Sequence, residues 1–208
     1  MPKQFLLIRH GEGIHQTEHL VGGWTDVDLT ELGQIQAELT AKRVAKLIGG
    51  DNSSVRLISS DLKRAKHTAI PISELLDIPL DIDTRIREIS RGNGHDLSKK
   101  EANSIAIPIS EPLLDWKPYP EAESWRMFQD RIYPVYEEYS KLKEDILIIV
   151  SHSQTQVCFT QAHLDIPRDF VYRLGLKFAN CSITQLSVNQ FGEPSIDFSN
   201  DTCHLTNL

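Results

Sequence analysis

Cysteine is scarce in this chain. There are three, Cys158, Cys181 and Cys203, among 208 residues. Their number is odd and their spacing matches neither a disulfide framework nor a metal-ligand motif, so a disulfide-stapled scaffold and a zinc module are set aside. Reduced thiols are expected instead, two of them in or near the core. Long apolar runs are lacking too. The longest unbroken one, Ile146 to Val150, is far below the roughly 20 residues that cross a bilayer. The apolar stretch before Arg9 is too short for the core of a secretory leader, and a cytoplasmic location is expected. Cationic side chains are in deficit, with 22 Lys and Arg against 29 Asp and Glu and a formal net charge of −7. Nonspecific nucleic-acid binding needs a basic face that displaces counterions, so nucleic acid and membrane are not expected partners. A local cluster of cations for one small anion remains compatible with that balance. Internal repeats, low-complexity tracts and linkers are absent as well.

What is present reads as an ordinary globular chain, 40% hydrophobic and 25% charged, long enough for one sizeable core. Short apolar runs alternate with helical patterns. Phe5–Ile8 reads as a buried strand. Thr30 caps a helix running to about Ile48 and stopped by Gly49-Gly50. Val55–Ile58 is a second strand, Ser59-Ser60-Asp61 a helix start, and that helix runs to about Leu76. Leu80–Ile82 is a weak strand. The proline- and glycine-bearing stretch 85–120 predicts loops and short helices. Glu121–Leu142 predicts a long helix with Pro134 inside it. Ile146–Val150 is the strongest strand signal, Ser153–His163 a helix, and Cys181–Val188 and Ser195–Phe198 late strands. The alternation predicts a single α/β domain over 1–208, three-layered α/β/α, with a mostly parallel central sheet.

Three of the strands lead into cations. The first ends in Arg9-His10, the second leads through Ser59-Ser60 to Arg64, and the strand at Ile146–Val150 ends in Ser151-His152. Parallel sheets bind ligands beyond the carboxyl ends of their strands, where helix N-termini also contribute N–H groups. Two guanidiniums and two imidazoles there suit a phosphate, since arginine forks its oxygens and a neutral imidazole nitrogen is a nucleophile near neutral pH. Taken singly, each residue has a structural reading: a packed histidine, a solvated arginine, a plain helix cap. The coincidence at three strand ends points to an anion site.

These residues, with others, resemble a known family. Ile8-Arg9-His10-Gly11-Glu12 resembles the signature of the histidine phosphatases, the phosphoglycerate-mutase-like superfamily. The stretch from Gly23 to Gly33 resembles the family's segment ending in D-x-x-L-T-x-x-G. Ser59 to Ala69 resembles S-S-x-L-x-R-A-x-x-T-A. Arg87-Glu88 stands where the family has its acidic residue, Val150-Ser151-His152 resembles the second histidine motif, and Asn200 to Leu205 is similar to the tail of several small phosphatases. The resemblance spans nearly the whole chain. It implies a phosphatase that hydrolyses small phosphate monoesters without a metal or cofactor. His10 would accept the phosphoryl group, Arg9, Arg64 and His152 would hold its oxygens, and Glu88 would pass a proton to the leaving group and then activate water.

The chain also departs from the family pattern. Gly13 stands where Ser or Thr is common, Gln16 where Asn commonly binds phosphate, and Ser153 where Gly is usual. His15 and His19 are extra histidines in the same loop. Gln16, Gly22, Gly23, Ser153, His15 and His19 are therefore the expected substrate-binding set around the core. A metal held by His10, His15, His19 and Glu18 lacks the spacing for one. Ala122 replaces the glycine of a G-E-S motif at Glu123-Ser124, and Trp24, Trp116 and Trp125 read as packing residues. The alternative activity is a cofactor-dependent phosphoglycerate mutase. The short segment from Glu88 to His152 favours the phosphatase, with Lys99-Lys100 read as a solvated helix face. A catalytically idle phospho-ligand binder is a third reading. The substrate, among sugar phosphates, nucleotide-like phosphates, phosphoserine or a cobalamin-precursor phosphate, is not legible, and a homodimer is only a working expectation.

Overall fold

The protein is described from a computed structural model that covers residues 4–206 and 208. Met1 to Lys3, the start of the run read above against a leader, lie outside the described residues. β1 (Gln4–Arg9) is flanked by β4 (Ile146–Ser151) on one side and β5 (Ile183–Val188) on the other. With β2 (Val55–Ser59), β3 (Leu80–Ile82) and β6 (Pro194–Asp201) they make a six-stranded sheet of order β3-β2-β4-β1-β5-β6. The pairs β1–β4, β4–β2 and β2–β3 are parallel, and only β5 runs against the rest. The mostly parallel α/β expectation holds, with an antiparallel edge that the sequence reading did not specify.

The central strands are apolar on both faces, as a sheet covered on both sides requires. Phe5, Leu7, Leu147 and Ile149 point into one core with Phe128, Ile132 and Phe159. These last come from α5 (Trp125–Tyr139) and α6 (Ser153–His163). Leu6, Ile8, Ile148 and Val150 point the other way, onto Ala41, Val44, Ala65, Ala69 and Ile72. Those belong to α2 (Glu31–Ile48) and α3 (Lys63–Leu76). The period of two along each strand therefore sorts the side chains into two cores and yields the three layers. Each Leu or Ile here is almost fully buried, which stabilises the fold by about 1.5–3 kcal/mol per side chain.

Helix ends explain where the predicted boundaries hold and where they move. Thr30 Oγ1 accepts from Gly33 N–H at 3.0 Å, and α2 stops at Gly49 with φ +77°, both as expected. α3 starts later than Ser59-Ser60-Asp61, because Ser60 N–H still donates to Val150 O at 3.0 Å and the chain stays extended there. Its first residue, Lys63, instead donates its N–H to Asp26 Oδ1 at 2.8 Å. α5 starts at Trp125 rather than Glu121. Glu121 has φ +59°, which a right-handed helix excludes, and Ser124 Oγ caps Met127 N–H. At its far end, Lys141 and Leu142 N–H turn back onto Glu138 and Tyr139 carbonyls, so α5 closes at Tyr139 rather than Leu142. Between β3 and α5 lie a short helix, α4 (Lys99–Ser104), and single 3₁₀ turns, as the 85–120 stretch suggested. Cys158 and Cys181 are buried and Cys203 is exposed.

Candidate active site

Strand register delivers the site. Arg9 pairs with Ser151 and Ser59 with Val150. The ladder continues one residue further, with His10 N–H on Ser151 O and Ser60 N–H on Val150 O, each at 3.0 Å. His10, Ser60 and His152 therefore leave the sheet side by side. Two glycines let the covering helix reach them. A Cβ on Gly33 would sit 2.1 Å from Glu12 O, and one on Gly11 would sit 2.6 Å from Gly33 O. The first turn of α2 thus packs directly on the backbone after His10. Thr68 Oγ1 and Gln36 Oε1 accept the N–H groups of Gly11 and Glu12 at 3.0 and 2.9 Å.

His10 is 3% exposed. Its Nδ1 lies 2.7 Å from Gly11 O, and since a carbonyl only accepts, Nδ1 carries the proton. Nε2 is then unprotonated, and its lone pair accepts from Arg64 Nε–H at 3.2 Å. Burial first, then the charges of Arg64, His152 and Arg9, hold the His10 pKa well below its ordinary value. The imidazole is therefore neutral, with Nε2 its unprotonated nitrogen.

Arg64 is 1% exposed, although it is a cation. Its Nη1 donates to Thr25 O at 2.6 Å, and its Nη2 to Gly23 O at 2.7 Å and to His152 Nδ1 at 3.3 Å. Among the described residues no carboxylate forms an ion pair with it. Burial lowers its pKa to about 10, against the raising effect of Glu88 and Asp26. His152 accepts from Arg64 at Nδ1, so its Nε2–H donates to Ser60 Oγ at 3.0 Å. The His10 and His152 rings are 5.2 Å apart. Burial, then Arg64 and Arg9, hold His152 well below its ordinary pKa. Arg9 donates from Nη1 to Phe178 O at 2.7 Å, and its buried Nε has no partner among the described residues. Two guanidiniums without carboxylate partners and two neutral imidazoles thus converge on one crevice, an arrangement that an oxyanion completes.

Glu88 lies at the edge of this crevice. Its Oε2 accepts from Gln154 N–H in the first turn of α6 at 3.3 Å, and Oε1 from Ile89 N–H at 2.9 Å. The backbone beneath it is clamped. Arg131 donates to the carbonyls of Arg85, Arg87 and Glu88 at 2.7, 3.1 and 3.1 Å, while its guanidinium pairs twice with Glu123. Glu123 in turn accepts Ser90 N–H at 2.8 Å. Trp24 Nε1–H donates to Glu88 O at 2.7 Å, with Arg87 stacked 5.0 Å from its ring, consistent with a packing role.

The outlying residues of the predicted set divide. His15 is buried, with its ring 5.8 Å from that of His10. Gly23 contributes its carbonyl to Arg64. Gly22 packs beside His15, and Ser153 opens α6 half-buried next to His152. Gln16 is engaged elsewhere. Its Nε2 donates to Asn180 Oδ1 at 3.1 Å, and its Oε1 accepts from Asn180 Nδ2 at 2.9 Å and Gly13 N–H at 3.0 Å. His19 departs from the expected set: it is exposed, no hydrogen bond joins it to His10, His15, Arg64 or His152, and its carbonyl accepts Lys99 N–H. Its φ of +56° turns the chain there. Among the described residues no three metal-binding side chains cluster. Sequence reasoning did not single out Asn180, Ser60 as the partner of His152, or the Arg131–Glu123 clamp. For the clamp, the signal was Glu123 in its G-E-S-like context with an arginine eight residues on.

A family model described as the histidine phosphatase superfamily, branch 1, matches residues 5–202. The chain belongs to that superfamily. A curated relative named "Probable phosphoglycerate mutase GpmB", from Escherichia coli O1:K1, is 30% identical over 193 residues, 90% of this chain and 86% of the relative. Among solved structures, a mycobacterial glucosyl-3-phosphoglycerate phosphatase in complex with VO3 superposes with a TM-score of 0.80 at 25% identity, over 96% of this chain and 100% of that one. A phosphoserine phosphatase mutant from Entamoeba histolytica, in complex with phosphoserine, shares the fold with a TM-score of 0.77 at 22% identity, over 97% of this chain and 98% of that one. The histidine phosphatase fold is thus established by family and by shape. Among the described residues no helix is long and apolar enough to cross a membrane.

Proposed function

We propose that this superfamily member hydrolyses small phosphate monoesters through a phosphohistidine on His10. The observation that carries the reading is the orientation of the ring. Nδ1–H is held on Gly11 O, and the Nε2 lone pair faces a buried guanidinium. Nε2 attacks phosphorus, the ester P–O bond breaks, and its electron pair leaves on the alcohol oxygen, which takes a proton from Glu88. Arg9, Arg64 and His152 hold the phosphoryl oxygens, where charge spreads in the transition state. Glu88, now a carboxylate, takes a proton from water. The water oxygen attacks phosphorus, the P–N bond breaks, and inorganic phosphate leaves with the lone pair returned to Nε2. The clamp of Arg131 and Glu123 fixes the backbone that carries Glu88. His15, Gly22, Gly23 and Ser153 shape the ester side of the crevice, and Gln16 supports it through Asn180, whose Nδ2 donates to His10 O at 3.1 Å.

The test is release of phosphate from an aryl phosphate by the purified protein without added metal, together with trapping of labelled phosphate on the wild type and not on His10→Ala. Full turnover by His10→Ala would remove the assignment. The resemblance to the GpmB protein supports a second reading, in which the phosphohistidine returns phosphate to a reoriented phosphoglycerate. Interconversion of phosphoglycerates with negligible hydrolysis would favour it.

A further inference from the structure

His95 is half-buried, between the segment that anchors Arg64 and the segment that carries Glu88. Arg64 hangs on two carbonyls, Gly23 O at 2.7 Å and Thr25 O at 2.6 Å. The residue between them, Trp24, is tied twice to the other segment. Its indole Nε1–H donates to Glu88 O at 2.7 Å, and its backbone N–H donates to His95 Nδ1 at 3.2 Å. The Trp24 and His95 rings are stacked, 6.2 Å apart with 13° between their planes. Thr25 is tied as well, since its Oγ1 accepts Asp96 N–H at 2.9 Å.

A backbone N–H only donates, so His95 Nδ1 carries the lone pair and Nε2 the proton. Nε2–H donates to Ser90 Oγ at 3.1 Å, and that oxygen also accepts Gly92 N–H at 3.2 Å. Ser90 N–H is held in turn by Glu123, whose other bonds clamp Arg131 beneath Glu88. One imidazole therefore joins Trp24 to the chain two residues beyond Glu88. There is little slack around it. A Cβ on Gly23, where φ is +70°, would lie 2.7 Å from Arg91 Cγ and 3.0 Å from both His95 Cε1 and Ile89 O. In packing this close, a shift of the ring is passed on to Gly23 and its bond to Arg64. A proton on Nδ1 would reverse the contact. Nδ1–H would face Trp24 N–H, donor against donor, while Gly22 O lies 3.4 Å away as an acceptor. The charged groups that act on the ring are Asp96 and Arg91 on its own segment and Arg64 from α3. Burial, helped by Arg91 and Arg64, holds the ring below its ordinary pKa, and the Gly22 carbonyl and Asp96 oppose this. The ring is thus neutral at neutral pH, and the proton arrives only on acidification below about pH 6.5.

We propose that His95 is a positioning residue that fixes the anchors of Arg64 relative to Glu88, and that it does so only while Nδ1 is unprotonated. The inference rests on the phosphate site described above and assigns to that site a pH-sensitive support outside the reacting groups.

The experiment measures phosphate binding and ester turnover separately on the full-length protein. His95→Ala removes both ring bonds. His95→Asn keeps an acceptor, Oδ1, in the place of Nδ1, and its amide does not titrate. At about pH 7.5, His95→Ala should weaken the binding of inorganic phosphate in calorimetry by about tenfold, with a similar loss in kcat/KM for an aryl phosphate, and His95→Asn should regain most of both. The ratio of wild-type to His95→Asn kcat/KM cancels the titration of the substrate and of groups the two proteins share. It should be level near neutral pH and fall severalfold between about pH 6.5 and about pH 5. No binding of phosphate by the wild type, an unchanged phosphate affinity in His95→Ala, no rescue by His95→Asn, or a ratio that stays level down to about pH 5 would overturn the assignment. Where the alanine variant does not fold, the ratio decides. If the wild type binds phosphate but hydrolyses no ester, the hydrolytic reading falls, and the same ratio taken on phosphate affinity decides the role of His95.

Discussion

The two spaces at the carboxyl end of the sheet are built differently. In the crevice, His10, Arg64 and His152 are almost wholly buried and bonded to one another, and their remaining polar atoms are held by the carbonyls of Gly11, Thr25 and Gly23 and by the Ser60 hydroxyl. In the neighbouring cavity, which meets the crevice at Gly22 and His15, the walls are fixed by backbone bonds, but among the described residues the side chains of Arg91 and Lys99 have no hydrogen-bond or ion-pair partner. A closed network suits a group that is the same in every phosphate ester, since preorganised donors need no rearrangement during reaction. Unpaired side chains on a loop and at a helix start suit the part that differs between esters. Substitutions in the crevice should therefore lower turnover of all esters together, and those in the cavity should change the ratio between esters.

The largest break in that contrast is expected from His10→Ala, which should lower kcat for every ester by about a thousandfold or more and remove the acid-labile phosphoryl label. Arg64→Ala should follow, with about a hundredfold to a thousandfold loss in kcat/KM that is uniform across esters. Arg64→Lys should rescue little, because one ammonium cannot reproduce the guanidinium's separate bonds to Thr25 O, Gly23 O, His10 and His152. A loss confined to one class of ester would blur the boundary drawn here. Glu123→Gln should cost about tenfold in kcat with a smaller change in KM and a displaced pH–rate profile, since it loosens the backbone that carries Glu88. Thermal melting without any change in the pH–rate profile would make the clamp purely structural.

The smallest expected effect concerns pH. His15 is lowered to about 4 by burial, Arg64, Arg9 and Lys99, and His10 and His152 are lowered in the same direction. In the unfolded chain these rings take up protons below about pH 6.5, and in the folded protein they resist doing so. Their contribution to stability is thus fully present above about pH 6.5 and declines as the pH falls toward the folded-state values. Tm measured across that range should fall with pH, and His15→Gln should make the decline shallower. An unchanged slope in that variant would mean that His15 is solvated in the folded protein and not part of the junction between the two spaces.

Much of this site was legible along the chain because its parts follow apolar strands directly. Arg9-His10, Arg64 and Ser151-His152 each lie within a few residues of a strand end, so assigning the strands also placed the residues. The α2 cap at Thr30 and the stop at Gly49 were legible for the same local reason. The start of α3 was not, because Ser60 is held extended by its bond to β4, a partner about ninety residues away in sequence. Asn180 was missed because β5 is antiparallel: the residues before it arrive at the end of the sheet where β1 leaves, and strand direction is not written in a short apolar run. Lys99, read as part of a solvated helix face, is exposed at the start of α4 and also borders a cavity, because Leu20 and Ser98 bridge and draw the two segments together.

By itself, the sequence determined the alternation of strands and helices, the two-faced apolar strands of the core, and which cations stand at strand ends. These depend on residue type and on spacing over a few positions. Only the tertiary structure decided which nitrogen of His10 is unprotonated, that Arg64 is buried with no carboxylate ion pair among the described residues, and that two cationic spaces meet at His15. Those properties arise from register, burial and contacts between segments far apart in the chain, where the energy of a polar group is set by what surrounds it and not by its neighbours in sequence.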